Sequence, residues 1–234
     1  MIEIKDVTKK YGSKVAIKDI SFDVGDGEIF AFIGHNGAGK TTLIKAIVGI
    51  HDFDDGDIII NGISIKNDPV SCKKEIAYVP DNPELYENMK AIDFINFICD
   101  MYDIDLKTRN DNINKYAKMF EIDNNLNETI DSFSHGMKQK VALISALCHN
   151  PKVLIMDEPF VGLDPKAVFD VKKVMNEMVK EGKTIFFSTH ILDVAEKLCT
   201  RVAIIKKGKL ISVGSMKDIK GDKSLESVFL ELEA

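Results

Sequence analysis

The chain has 234 residues, 45% hydrophobic and 29% charged, which suits one large domain with a buried core. Its net charge of −6, with Lys and Arg spread along the chain, argues against nucleic acid as a partner, since that calls for a concentrated basic patch. No apolar run approaches the roughly 20 residues that cross a bilayer, and "MIEIKDVTKKYG" has no apolar signal-peptide core.

The chain opens with alternating apolar and polar residues, "MIEIKDV", "VAIKDISFDV" and "EIFAFIG". These predict strands, with turns at Gly12-Ser13 and Gly25-Asp26-Gly27. From Ala38 to about Gly49 the period becomes helical, with Leu43, Ile47 and Ile50 on one side. "GDIIINGISIKN" predicts a hairpin closed at Asn61-Gly62, and "EIAYVP" a short strand stopped by Pro80. Between about 85 and 150 the strand runs give way to helical spacing, and Phe94, Phe97, Ile98 and Met101 are expected to share a core face. Strand–helix alternation then returns from "KVLIMDEP" through "RVAIIKKGKLISVG", which predicts a parallel sheet covered on both faces and a closing antiparallel hairpin. "KSLESVFLELEA" predicts a final short helix. Cys72, Cys99, Cys148 and Cys199 form no CxxC pair and are expected to be free, buried or half-buried thiols of a cytoplasmic protein.

Two motifs carry chemistry. "FIGHNGAGKTTLIKAI" runs from an apolar strand through a glycine-rich turn into a helix and fits GxxxxGK[ST], with Gly34, Gly39, Lys40 and Thr41 at the fixed positions. Backbone N–H groups from Asn36, Gly37, Ala38 and Gly39 can turn in around a polyphosphate, and the positive end of the helix favours the same anion. Lys40 supplies a charge to the outer phosphates, and the Thr41 hydroxyl can ligate Mg²⁺, with Thr42 beside it. His35 is read as a loop residue without chemistry. In "KVLIMDEP" a buried strand presents Asp157, suited to hold Mg²⁺ through water, and Glu158, suited to polarise a water that attacks the γ-phosphate.

From about Ile2 through Gly214 the chain resembles the nucleotide-binding subunits of ATP-binding cassette transporters. "SFSHGMKQK" resembles their LSGGQ signature, with Phe133, Ser134, His135, Gly136 and Met137 in its places. His135 replaces a glycine and Met137 a glutamine, a variant that resembles subunits paired with ABC-2-type membrane proteins. The resemblance implies an α/β fold: a P-loop NTPase core with a mainly parallel sheet, an N-terminal antiparallel β subdomain and an inserted helical subdomain. It implies one domain over 1–234, with core parts at about 1–84 and 151–214, the helical part at about 85–150 and a tail at 215–234.

For the site it implies that Tyr11 stacks on adenine and that Asp164 of "VGLDP" helps form the contact between subunits. Ser134 and Gly136 would bind the phosphate of ATP held by the opposite subunit. His190 would contact the γ-phosphate, and Asp81 would stand near Mg²⁺ where the family carries glutamine. The implied assembly is a homodimer or heterodimer closed on two Mg·ATP. It would sit on the cytoplasmic face of the membrane and drive an integral membrane permease on a separate chain, docked near residues 83–91. The signature and the tail resemble export-type subunits. The alternative, a soluble ABC-type ATPase acting on ribosomes or DNA, fits less well, because such relatives carry two cassettes or a long coiled coil.

Overall fold

The computed structural model describes residues 1–233. In chain order the N-terminal part is β1 (Ile2–Tyr11), β2 (Lys14–Val24), β3 (Ile29–Ile33), α1 (Lys40–Ile47), β4 (Asp55–Ile60), β5 (Ile63–Ser64), α2 (Pro69–Glu75) and β6 (Ile76–Val79). The middle holds α3 (Ala91–Met101), α4 (Leu106–Met119) and α5 (His135–Cys148). The rest is β7 (Val153–Met156), α6 (Pro165–Lys180), β8 (Thr184–Thr189), α7 (Leu192–Leu198), β9 (Arg201–Lys206), β10 (Lys209–Ser215), α8 (Met216–Lys220) and α9 (Leu225–Glu233).

The strands form two sheets. One is antiparallel, in the order β2-β1-β4-β5, and the other runs β10-β9-β3-β8-β7-β6, parallel except for the hairpin strand β10. Alternation along the parallel strands divides the core. Phe30, Phe32, Ile155 and Phe186 face the antiparallel sheet and α1, where Phe22 of β2 stacks on Phe30 at 5.3 Å. Ala31, Ile33, Leu154, Met156 and Phe187 face the helices of the opposite layer. A strand buried on both faces has no polar side to show, which is why these segments are uniformly apolar.

The predicted turns form as expected. Asn61 and Gly62 have φ of 48° and 82° and close the Ile60–Ile63 hairpin, because a type I′ turn needs positive φ at both positions. All four cysteines are free and buried. No helix among the described residues is long and apolar enough to cross a membrane.

Two face assignments need correction. Ile50 is 53% exposed, because α1 ends at Ile47 and Gly49 turns the chain away at φ 67°. In α3 the buried line is Ala91, Ile95 and Cys99 with Phe94, whereas Phe97 and Met101 are exposed. That helix is apolar around most of its circumference, so its period could not choose the face; packing against α5 did. Two helices lie outside the sequence reading. Asp68 caps α2 through Ser71 N–H, with Pro69 in the first turn, and Ser215 caps α8 through Asp218 N–H. The predicted C-terminal helix is α9, and its last predicted residue, Ala234, lies outside the described residues.

Candidate ATP site

β3 ends at Ile33, and the next turn leads into α1 at the C-terminal edge of the parallel sheet, where open α/β sheets bind ligands. Gly34 and Gly39 are dictated by close packing. A Cβ on Gly34 would lie 2.6 Å from the Ile205 carbonyl oxygen, and one on Gly39, at φ 113°, would lie 2.7 Å from Ile17 Cγ2. The loop encloses a cavity of about 520 Å³ whose walls include Tyr11, Asn36, Gly37, Lys40, Thr42 and Glu158. Tyr11, at the end of β1, is half-exposed on this wall, with His51 edge-on to its ring at 6.1 Å. Ala38 instead turns into the core, and its carbonyl accepts from Gly208 N–H at 2.8 Å.

The Lys40 side chain is buried. Its ammonium donates to the Gly34 carbonyl at 2.7 Å and the His35 carbonyl at 3.3 Å, and it stands 3.2 Å from Glu158 Oε1. That oxygen is fully buried and accepts no hydrogen bond. Glu158 holds an unusual backbone, φ 48°, where a non-glycine residue is strained by about 1–3 kcal/mol. Its N–H donates to Ser188 Oγ at 3.0 Å, and the same hydroxyl donates a short hydrogen bond to Asp157 Oδ1. On the other side His190 grips Glu158 Oε2, with Nδ1 at 2.9 Å and backbone N–H at 3.3 Å. Residues 40, 158 and 190 therefore meet although they come from α1 and the ends of two adjacent parallel strands, β7 and β8. Ser188, fully buried within β8, was missed by the sequence reading; its only signal was a hydroxyl two positions before His190, directly after the apolar run Ile185–Phe187.

Thr41, Asp81 and Asp157 line an adjoining cavity of about 380 Å³. The Asp81 carboxyl is held above its ordinary range, first by burial and then by the charges of Asp157 and Glu158, with His135 and His190 opposing. A carboxyl held up by two neighbouring carboxylates calls for a cation, and an all-oxygen set of hydroxyl and carboxylates suits Mg²⁺. Among the described residues no group of three or more His, Cys, Asp or Glu side chains could hold a metal by itself. The residues thus fit an ion that shares its shell with water and phosphate, as Mg²⁺ at nucleotide sites does.

Ser134, Gly136 and Asp164 lie outside this cavity. Ser134 caps α5 by accepting from Met137 N–H at 3.3 Å, and Asp164 caps α6 by accepting from Ala167 N–H at 2.8 Å. That hydrogen bond, followed by one from Lys140 at 3.0 Å, holds the Asp164 carboxyl below its ordinary range. Gly162, at φ 78°, lies under the His135 ring, where an added Cβ would sit 2.6 Å from Cδ2. The fold brings these two segments together with each other and apart from the phosphate loop of their own chain.

The model of the ABC transporter family matches residues 17–161, spanning both the phosphate loop and the acidic strand end. The chain belongs to the ABC transporter family. It is similar to the uncharacterized ABC transporter ATP-binding protein YhcH of Bacillus subtilis, at 34% identity over all of this chain and 75% of the relative. It is also similar to the linearmycin resistance ATP-binding protein LnrL of the same organism, at 33% identity over 94% of this chain and 70% of the relative. Among solved structures, that of an ATP binding subunit of an ABC transporter shares 33% identity with a TM-score of 0.96, covering all of both chains. As a member of the ABC transporter family the chain is an ATPase with a P-loop α/β fold.

Proposed function

We propose that two copies of this chain, or one copy and a similar subunit, close head-to-tail on two Mg·ATP and power a separate membrane-spanning permease in the export direction. The observation that carries this reading is the separation of parts. The cavity beside Lys40 has a phosphate loop and a buried Glu158, yet exposed Ser134 and Asp164 and half-buried Gly136 stand outside it. α5 points its positive end, with Ser134 at the cap, into solvent, where the phosphate of a second subunit's ATP could meet it.

In this reading Tyr11 stacks on adenine, and the loop N–H groups of 36–39 with Lys40 and Thr42 hold the phosphates. The γ-phosphate draws Lys40 off Glu158 Oε1 and leaves that carboxylate oriented by His190 to polarise the attacking water. Mg²⁺, when bound by Thr41, Asp157 and Asp81, neutralises developing charge on the phosphates. Residues 85–150 form the helical subdomain, and the permease meets the protein beside them on the cytoplasmic face of the membrane. There Tyr86, Phe97 and Met101 are exposed next to a groove walled by Pro83, Leu85 and Ile98. An exposed apolar patch of this kind marks a partner surface, and the resistance named for LnrL accords with export. Affinity purification from membranes checks this: co-purification of an integral membrane protein that Tyr86→Lys and Met101→Lys abolish supports it, and recovery with ribosomes or DNA overturns it.

A further inference from the structure

The C-terminal helix α9 is a sequence-predicted element that this function leaves unused. It is amphipathic, with Leu225 and Phe229 buried and Leu230 exposed, and it reaches both ends of the ATP-site network. At one end the Phe229 ring meets the His35 imidazole edge-on, with centroids 5.0 Å apart and planes at 66°. His35 belongs to the phosphate loop, and its carbonyl is one of the two that accept from Lys40 Nζ. At the other end Leu225 N–H donates to Glu196 Oε2 at 2.9 Å, and Glu196 Oε1 pairs with Lys220 at 2.6 Å. Glu196 lies on α7, the helix that begins two residues after His190. Lys206 of β9 donates to the Leu232 carbonyl at 3.0 Å and ties down the last turn of α9.

Phosphate loops gain affinity from being held in the bound shape before the ligand arrives, because ordering them on binding costs conformational entropy. His35 itself is exposed, and its ring is where α9 meets the phosphate loop. An edge-on ring contact of this geometry can bias a short loop without dominating the stability of the domain.

We infer that α9 is a positioning strap for the ATP site. Through Phe229 on His35 and Leu225 on Glu196 it holds the phosphate loop and the helix after His190 in register, so that Lys40 and His190 both meet Glu158. The sequence reading gave His35 no chemistry; here its role is to pass the position of α9 to the loop. The inference rests on the assignment of Lys40, Glu158 and His190 to the ATP site.

The test is ATP titration of turnover, with amide hydrogen exchange on the nucleotide-free protein, for Phe229→Ala and Glu196→Ala beside the unaltered chain and Lys40→Ala. Phe229→Ala is expected to raise the KM for ATP about fivefold with kcat within twofold, and to speed exchange at amides 35–40. Glu196→Ala, at a side chain that carries no core packing, is expected to speed exchange across 190–198 and to shift KM the same way, which keeps the inference testable if Phe229→Ala fails to fold. A helix that only stabilises the chain would lower the melting temperature and speed exchange within 225–233 alone; that result, with unchanged KM, overturns the strap. Turnover persisting in Lys40→Ala would instead overturn the site assignment.

Discussion

The phosphate cradle and the exposed starts of α5 and α6 handle polar groups in opposite ways. In the cradle Lys40, Asp157, Glu158 and Ser188 are buried, and each is held by a partner in the same chain. At the helix starts Ser134, His135, Gly162 and Asp164 are exposed, and their internal bonds only cap helices or tie the two segments to each other. Buried polar groups must be satisfied internally because their desolvation is otherwise uncompensated. Exposed ones can wait for an outside ligand. The contrast therefore separates what this chain completes alone from what it offers to another molecule, and α5 repeats it along its length, with an exposed signature end and a buried far end at His149.

The largest expected effect lies in the buried half. Glu158→Gln keeps the shape but removes the base, so turnover should fall at least about 100-fold while ATP binding persists. Size-exclusion chromatography of that variant with ATP should show a dimer; a monomer at saturating ATP would break the comparison, because the exposed half would then have no second cradle to meet.

Next comes the buried end of α5. Burial pushes the His149 imidazole, stacked on Tyr102 at 3.7 Å, from an ordinary 6.5 down to about 4. Between those values the unfolded chain binds the proton and the folded one does not. The stability contribution is thus present above pH 6.5 and lost as pH falls towards 4, by roughly 3 kcal/mol. Thermal melts across that window should show the loss, and His149→Phe should flatten it. An unaltered pH slope in the variant would assign the loss to other groups.

A smaller effect is expected where the halves adjoin. Asp81→Ala should raise the Mg²⁺ concentration needed for half-maximal turnover about tenfold, and Asp81→Gln should restore most of it, since glutamine also offers an oxygen ligand. Identical Mg²⁺ titrations for all three proteins would remove Asp81 from the metal's surroundings. The smallest change is at the exposed end of α5. Ser134→Ala should cost about 1 kcal/mol of stability through the lost cap. Turnover should fall several-fold with ATP binding to the isolated subunit unchanged; weakened ATP binding there would place Ser134 in its own chain's site and erase the contrast.

Much of the cradle was legible because backbone chemistry restricts residue type. Gly34 and Gly39 sit where a Cβ would strike Ile205 or Ile17, and Lys40 follows as the first residue of α1. Asp157 and Glu158 stood out because they interrupt a run of apolar residues. Ser188 did not, since a hydroxyl inside a strand has many uses, and only the register of β8 beside β7 sets it under Glu158. The buried face of α3 and the exposure of Ile50 were undecidable for a related reason. Periodicity names a face only when the other face is polar, and it says nothing past the residue where a helix ends.

Local pattern alone thus determined the strands, most helices, the hairpin turns and the residue types of the phosphate loop, since these depend on neighbours a few positions away. The tertiary structure alone decided which residues meet. It placed Lys40 and His190 about 3 Å from the two carboxylate oxygens of Glu158, laid His135 on Gly162 and brought Phe229 to His35. The physical reason is that such contacts join positions far apart in sequence, and only the sheet order and the packing of helices on its two faces bring those positions together.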